Sequence, residues 1–124
     1  SCSSCRRAEV RRCSPPARSP IPGEFYTELW LEKQGGGSYI EKPDGRDFPT
    51  DEPETPIQAL LPQGSIKMII NNANDFLGYI IPRTQWDLVA PWTYGKQQYG
   101  EENSSGDRTA PIIADEFATM VGKK

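Results

Sequence analysis

Histidine is missing from all 124 residues of this chain. Its absence removes the commonest general base, the commonest metal ligand and every Ser-His or Cys-His nucleophile arrangement. It argues against a self-contained zinc hydrolase, because open catalytic zinc sites nearly always include imidazole nitrogen. Long apolar runs are missing as well: the longest span only three or four residues, too few for a transmembrane helix. No apolar segment follows the early arginines in the manner of a signal peptide. The first twenty residues also lack lysine, phenylalanine, tryptophan, tyrosine, isoleucine and leucine. Such a stretch buries too little apolar surface to offset its ordering entropy, so residues 1–19 are expected to form a disordered leader rich in Arg, Ser, Pro and Cys.

What is present is unevenly placed. Residues 1–20 carry five arginines against Glu9 alone, a balance of +4, while residues 21–124 hold nine basic and sixteen acidic groups, or -7. Cys2, Cys5 and Cys13 all fall in the leader, and an odd number leaves at least one thiol outside any intramolecular disulfide. Cys2-Ser-Ser-Cys5 has the spacing of half a zinc site, but a closed site needs four ligands. Incidental thiols are the simpler reading. Clustered guanidinium groups suit phosphate, yet no aromatic residues are interleaved to stack on bases, so no nucleic-acid partner is expected. Twelve prolines and eleven glycines predict short elements joined by irregular chain.

The expected fold class is α+β: a small β-sheet, a short helix after Glu24 and a C-terminal amphipathic helix. Phe25 and Leu29 are four apart, Tyr26 is spaced to meet Leu29 and Trp30, and glycines stand at Gly35 to Gly37. That pattern predicts a helix starting at Glu24. Residues 34–62 read as a long acidic surface loop with turns at Pro43-Asp44-Gly45, ending in one helical turn at Ile57 to Leu61. Ser65 to Asn71 is the strongest strand signal, and Phe76 to Ile81 a second. With the polar Asn71 to Asp75 between them they predict a hairpin or an adjacent pair. Thr84 is placed to cap a turn containing Trp86. From Thr109, residues Ile113, Phe117, Met120 and Val121 share one helical face, with Pro111 early and Gly122 late.

Two polar clusters stand out chemically. Glu24, after Pro22-Gly23 and at a helix start, places a carboxylate near unsatisfied backbone N–H groups; a helix-start acid is the simpler reading. Asn74-Asp75 beside Gly78-Tyr79 sets an amide, a carboxylate and a phenol at a strand-loop-strand junction, where turn chemistry and a core tyrosine are the simpler reading. Gly35-Gly36-Gly37-Ser38 lacks the lysine of a phosphate loop. Asp51, Glu52 and Glu54 are interrupted by proline and lack a calcium-loop glycine. Trp86, Trp92, Tyr94 and Tyr99 are spaced as core cover rather than as a platform for sugar or lipid.

Taken in order, Ile21-Pro22-Gly23-Glu24-Phe25, Ala73-Asn74-Asp75-Phe76-Leu77-Gly78-Tyr79-Ile80, Gln85-Trp86-Asp87, Tyr99-Gly100-Glu101 and Gly106-Asp107-Arg108-Thr109-Ala110-Pro111 resemble the end of the catalytic domain of the neutral/alkaline, non-lysosomal ceramidase family. The resemblance covers roughly residues 20–122. Its Gly35 to Pro62 loop is longer than in characterised members, which points to a divergent bacterial-type branch. Members are zinc-dependent amidohydrolases that split ceramide into fatty acid and sphingosine. The resemblance implies that Glu24 and Tyr79 match two zinc ligands, a glutamate and a tyrosine, and that the remaining ligands are histidines from an upstream part that this chain lacks. It therefore implies an enzyme fragment that is inactive and zinc-free alone. The implied partners are the upstream part of the same enzyme and a lipid amide substrate, in an extracytoplasmic or membrane-associated setting. The alternative is a non-catalytic binding or oligomerisation module, for which a second copy of the chain is a candidate partner.

Overall fold

A computed structural model describes residues 17–123. The fold is α+β, as expected. It comprises β1 (Ala17–Pro20), β2 (Glu24–Phe25), α1 (Thr27–Trp30), α2 (Ile57–Leu60), β3 (Lys67–Ile70), β4 (Tyr79–Ile80), a 3-10 turn (Arg83–Gln85), α3 (Tyr99–Glu102) and α4 (Thr109–Met120). Cys2, Cys5, Cys13 and the rest of the leader up to residue 16 lie outside the described residues.

The strands do not form the expected hairpin. β1 pairs with β3 and β2 pairs with β4, both in parallel. They are two separate two-stranded sheets; further backbone bonds extend each pair, and those of the residues between them set the two pairs one after the other along a ribbon. Ile21 N donates to Ile70 O at 2.9 Å, Glu24 N to Gly78 O at 2.9 Å and Tyr26 N to Ile80 O at 3.1 Å. The Asn71 to Asp75 cluster fails to turn β3 back on itself because its own amides, and that of Leu77 beyond it, bond to residues 21–23 between β1 and β2 instead. Asn72 N donates to Gly23 O, Ala73 N to Ile21 O and Leu77 N to Pro22 O. Asn72 and Asn74, at φ 53° and 68°, adopt the left-handed conformation that asparagine tolerates, and so steer the chain around this corner.

Two further expectations are corrected by the same ribbon. The leader assigned to residues 1–19 is too long, since Ala17–Pro20 is a strand with Ser19 buried and Ala17 N donating to Ile66 O at 2.8 Å. Nothing in Ala-Arg-Ser-Pro favours a strand; the exposed edge of β3 imposes it. The helix expected from Glu24 begins three residues later at Thr27, because Glu24 and Phe25 are taken into the ladder with Tyr79 and Ile80.

Parallel strands need a long crossover, and residues 26–66 supply it. The acidic stretch at 34–62 belongs to this crossover. Its end folds into the expected turn, α2, which puts Ile57 wholly inside the core with Leu61 beside it. Ile21, Phe25, Leu29, Trp30, Ile40, Ile80 and Ala110 complete that core, so the four-residue spacing of Phe25 and Leu29 does bury both. α4 starts at Thr109 as expected and packs Ala110, Ile113 and Phe117 inward, but Met120 is left exposed. Thr84 sits inside the 3-10 turn rather than capping it, donating its hydroxyl to Glu41 O at 2.8 Å. Among the described residues no helix is long and apolar enough to cross a membrane.

Candidate functional site

Glu24 and Tyr79 are direct Cα partners in the β2–β4 register. Parallel pairing projects side chains of paired residues to the same side of the ribbon, so the carboxylate and the phenol emerge together. Gly23 permits the approach. A Cβ on that residue would lie 2.7 Å from Gly78 O and 2.9 Å from Ile80 Cδ1, inside contact distance. Gly78, at φ 80°, has its own missing Cβ directed at the backbone of Asn103.

The two side chains meet. The Tyr79 hydroxyl reaches the Glu24 carboxylate as a donor, and this bond is the main reason that the phenol is held above the usual tyrosine range; burial and the Glu24 charge add to it. Tyr79 lies between two other rings. Tyr26 meets it edge-on at a centroid distance of 6.4 Å and Tyr99 at 5.8 Å. Such T-shaped contacts fix the ring's orientation as well as burying area. Tyr26 is also raised, chiefly by burial and then by the charges of Glu101 and Glu28.

Around the pair runs an open groove of about 510 Å³, whose further walls are Phe25, Tyr26, Thr27, Glu28, Asn71 and Asn72. A carboxylate and a phenol on one point are hard oxygen donors of the kind a divalent cation accepts. A cation between them would favour phenolate by the electrostatics that now favours the phenol. Among the described residues no group of three or more His, Cys, Asp or Glu side chains is arranged to hold a metal ion.

The other sequence candidates separate. Asn74 and Asp75 do turn chemistry: Asp75 Oδ1 accepts from Phe76 N at 2.8 Å, and the amides beside Glu24 are those of Asn71 and Asn72 instead. The acids of the crossover are taken up by cations and backbone: Asp51 pairs with the Arg83 guanidinium at 3.0 Å, Glu54 Oε1 accepts from Arg83 N, and Glu52 pairs with Lys42 at 2.7 Å. Trp86 is buried, whereas Tyr99 lies exposed against Tyr79 and Tyr94 lines a separate cavity, so the four aromatics make no single platform. Sequence reasoning missed α3, which presents Tyr99. Its signal was the Gln98 to Glu101 spacing, which forms a capping box.

No family model, curated protein or solved structure matches this chain.

Proposed function

We propose that residues 20–122 are the C-terminal part of a zinc-dependent amidohydrolase similar to the neutral/alkaline ceramidases. Its substrate would be an N-acyl lipid amide, and the chain would be inactive by itself. One observation carries the reading: the Pro-Gly-Glu and Ala-Asn-to-Tyr segments, distant in sequence, bring Glu24 and Tyr79 into one register position with their oxygens in reach of each other. In the complete enzyme, zinc would polarise the amide carbonyl and lower the pKa of bound water. Glu24 and Tyr79 would hold it, the phenol kept in place by the rings of Tyr26 and Tyr99. Asn71 and Asn72, on the groove wall, offer side-chain amides with both donor and acceptor capacity, which suits the C=O and N–H of an amide substrate.

The test uses a longer polypeptide that carries the natural preceding sequence with its histidines. It should bind zinc stoichiometrically and hydrolyse N-acyl sphingoid amides, and Glu24→Gln or Tyr79→Phe should lower its zinc content. A longer polypeptide with neither zinc nor hydrolysis disposes of the reading.

A different observation favours the interaction-module reading. Ile66, Met68 and Ile70 alternate along and beside β3, and all three are exposed. A parallel sheet is ordinarily covered on both faces, so this apolar side suits a protein partner or a second copy. Light scattering that shows a monomer, together with no binding of a hydrophobic dye, would count against it.

A further inference from the structure

The burial pattern runs through both strand pairs without a break. From Arg18 to Tyr26 the even-numbered residues are exposed or half-buried, while Ser19, Ile21, Gly23 and Phe25 are buried. One face of alternate residues therefore continues from β1 into β2. In register with it, Met68 lies opposite Arg18, Ile70 opposite Pro20 and Tyr79 opposite Glu24. The outer side of the ribbon is thus a single surface with an apolar stretch, where Ile66, Met68 and Ile70 are exposed at 71%, 47% and 46%. Its two ends differ in sign. Arg18 is exposed and takes part in no ion pair among the described residues, whereas Glu24 and Glu28 wall the groove at the other end.

A surface with a cation at one end, a carboxylate at the other and apolar residues between them is complementary to itself after half a turn. A two-fold axis across the strands at position 21 sets residue 18 of one copy over residue 24 of the other, and residue 20 over residue 22. Arg18 then meets Glu24 twice, once at each end, and the open groove of about 510 Å³ beside Glu24 admits the guanidinium. Met68 comes to lie over Tyr79, a favourable contact of thioether and ring. Face-to-face pairing with the strands parallel would bring the two Arg18 ends together and the two Glu24 ends together. Charge therefore selects the antiparallel arrangement, while the apolar stretch supplies most of the attraction, since exposed ion pairs contribute little. We infer that the outer face of the ribbon is a self-docking surface, covered by a second copy of the chain with Arg18 of each on Glu24 of the other. The inference rests on the interaction-module reading above and names its partner. Such pairing covers the open side of the parallel strands, and it also shuts the Glu24–Tyr79 groove.

The experiment is sedimentation velocity on the 124-residue chain over a range of concentrations, with dithiothreitol present so that Cys2, Cys5 and Cys13 cannot link copies. A reversible dimer is expected. Arg18→Glu and Glu24→Arg should each weaken it about tenfold or more, because each sets like charges on one another at both ends. Mixing the two variants should restore association as a heterodimer, since each then offers the sign that the other lacks at both contacts. Met68→Ser should weaken the dimer with every charge in place. For Arg18→Glu alone, at an exposed position, added salt should bring association back towards that of the parent, a readout that holds even if Glu24→Arg unfolds. A monomer at every concentration, a dimer indifferent to Arg18→Glu, or a mixture of folded variants no more associated than its components overturns the inference. The two failures stay distinct. A monomer that still binds a hydrophobic dye overturns self-docking and leaves the interaction-module reading with another partner, whereas a monomer that binds none disposes of both.

Discussion

Gly23 approaches Gly78 so closely that a Cβ on the first would stand 2.7 Å from the carbonyl oxygen of the second. The same carbonyl accepts the Glu24 N–H at 2.9 Å. Adding one methyl group must therefore push β2 away from β4, and with it Glu24 from Tyr79. We expect Gly23→Ala to destabilise the fold by about 1–3 kcal/mol, the usual range for overpacking, read as a lower urea midpoint. An unchanged midpoint would show that the ribbon yields freely here.

Arg83 ties three parts of the chain together. Its guanidinium pairs with Asp51 and Asp107, each at 3.0 Å, and stacks 4.1 Å over Phe48. Single exposed ion pairs contribute little, but here one planar group serves two carboxylates and a ring. Arg83→Ala should cost about 1–2 kcal/mol, with the loss smaller at high salt. Arg83→Lys should recover only part of it, since an ammonium cannot stack and fork in the same way. Full recovery by lysine would mean that charge alone matters.

Glu54 carries a pH signature. Burial pushes its carboxyl up, with the Asp51 charge adding, against the opposing pull of the Arg83 N–H and charge. Because the folded value lies above the unfolded one, the stability associated with this group is complete below the ordinary glutamate range and is lost as pH rises through the raised value. Glu54→Gln keeps an acceptor for Arg83 N and removes the ionisation, while Oε2 of the parent is buried without a partner. The variant should therefore gain on the parent over the interval from the ordinary glutamate range up to neutrality in paired denaturant titrations. A difference that stays constant across that interval would contradict the assignment.

Ile57 has no exposed surface, and α2 has only four residues to hold it. Ile57→Ala should cost about 2–5 kcal/mol and loosen the crossover first, visible as faster amide exchange at Leu60 and Leu61 than at Ile80. Equal acceleration at all three would show that the crossover and ribbon open together.

Elements whose own residues specify them were legible in the sequence. α4 has its apolar spacing from Ala110 to Phe117, β3 has Met68-Ile69-Ile70, and α2 is bounded by Pro56 and Pro62. β1 was not legible because Ala17–Pro20 has no strand preference of its own and borrows its form from β3. Glu24 carried two local signals, helix start and post-glycine acid, and tertiary pairing with Tyr79 overrode the first. At the site, Glu24 and Tyr79 could be picked out singly, but Asn71, Asn72 and Tyr99 join them only through the parallel register and the placement of α3. No period of 2 or 3.6 encodes such a meeting.

The crossover also divides the molecule in a way that can be used. Gly35, Gly36 and Gly37 all have positive φ and open space where a Cβ would be, so a cut there removes no packing. Glu24 would then lie on one piece and Tyr79 on the other, with the ribbon as the seam. Two separately produced halves should be mute apart and reassemble by strand pairing when mixed, which makes this fold a natural split reporter whose signal is the return of its own carboxylate–phenol contact.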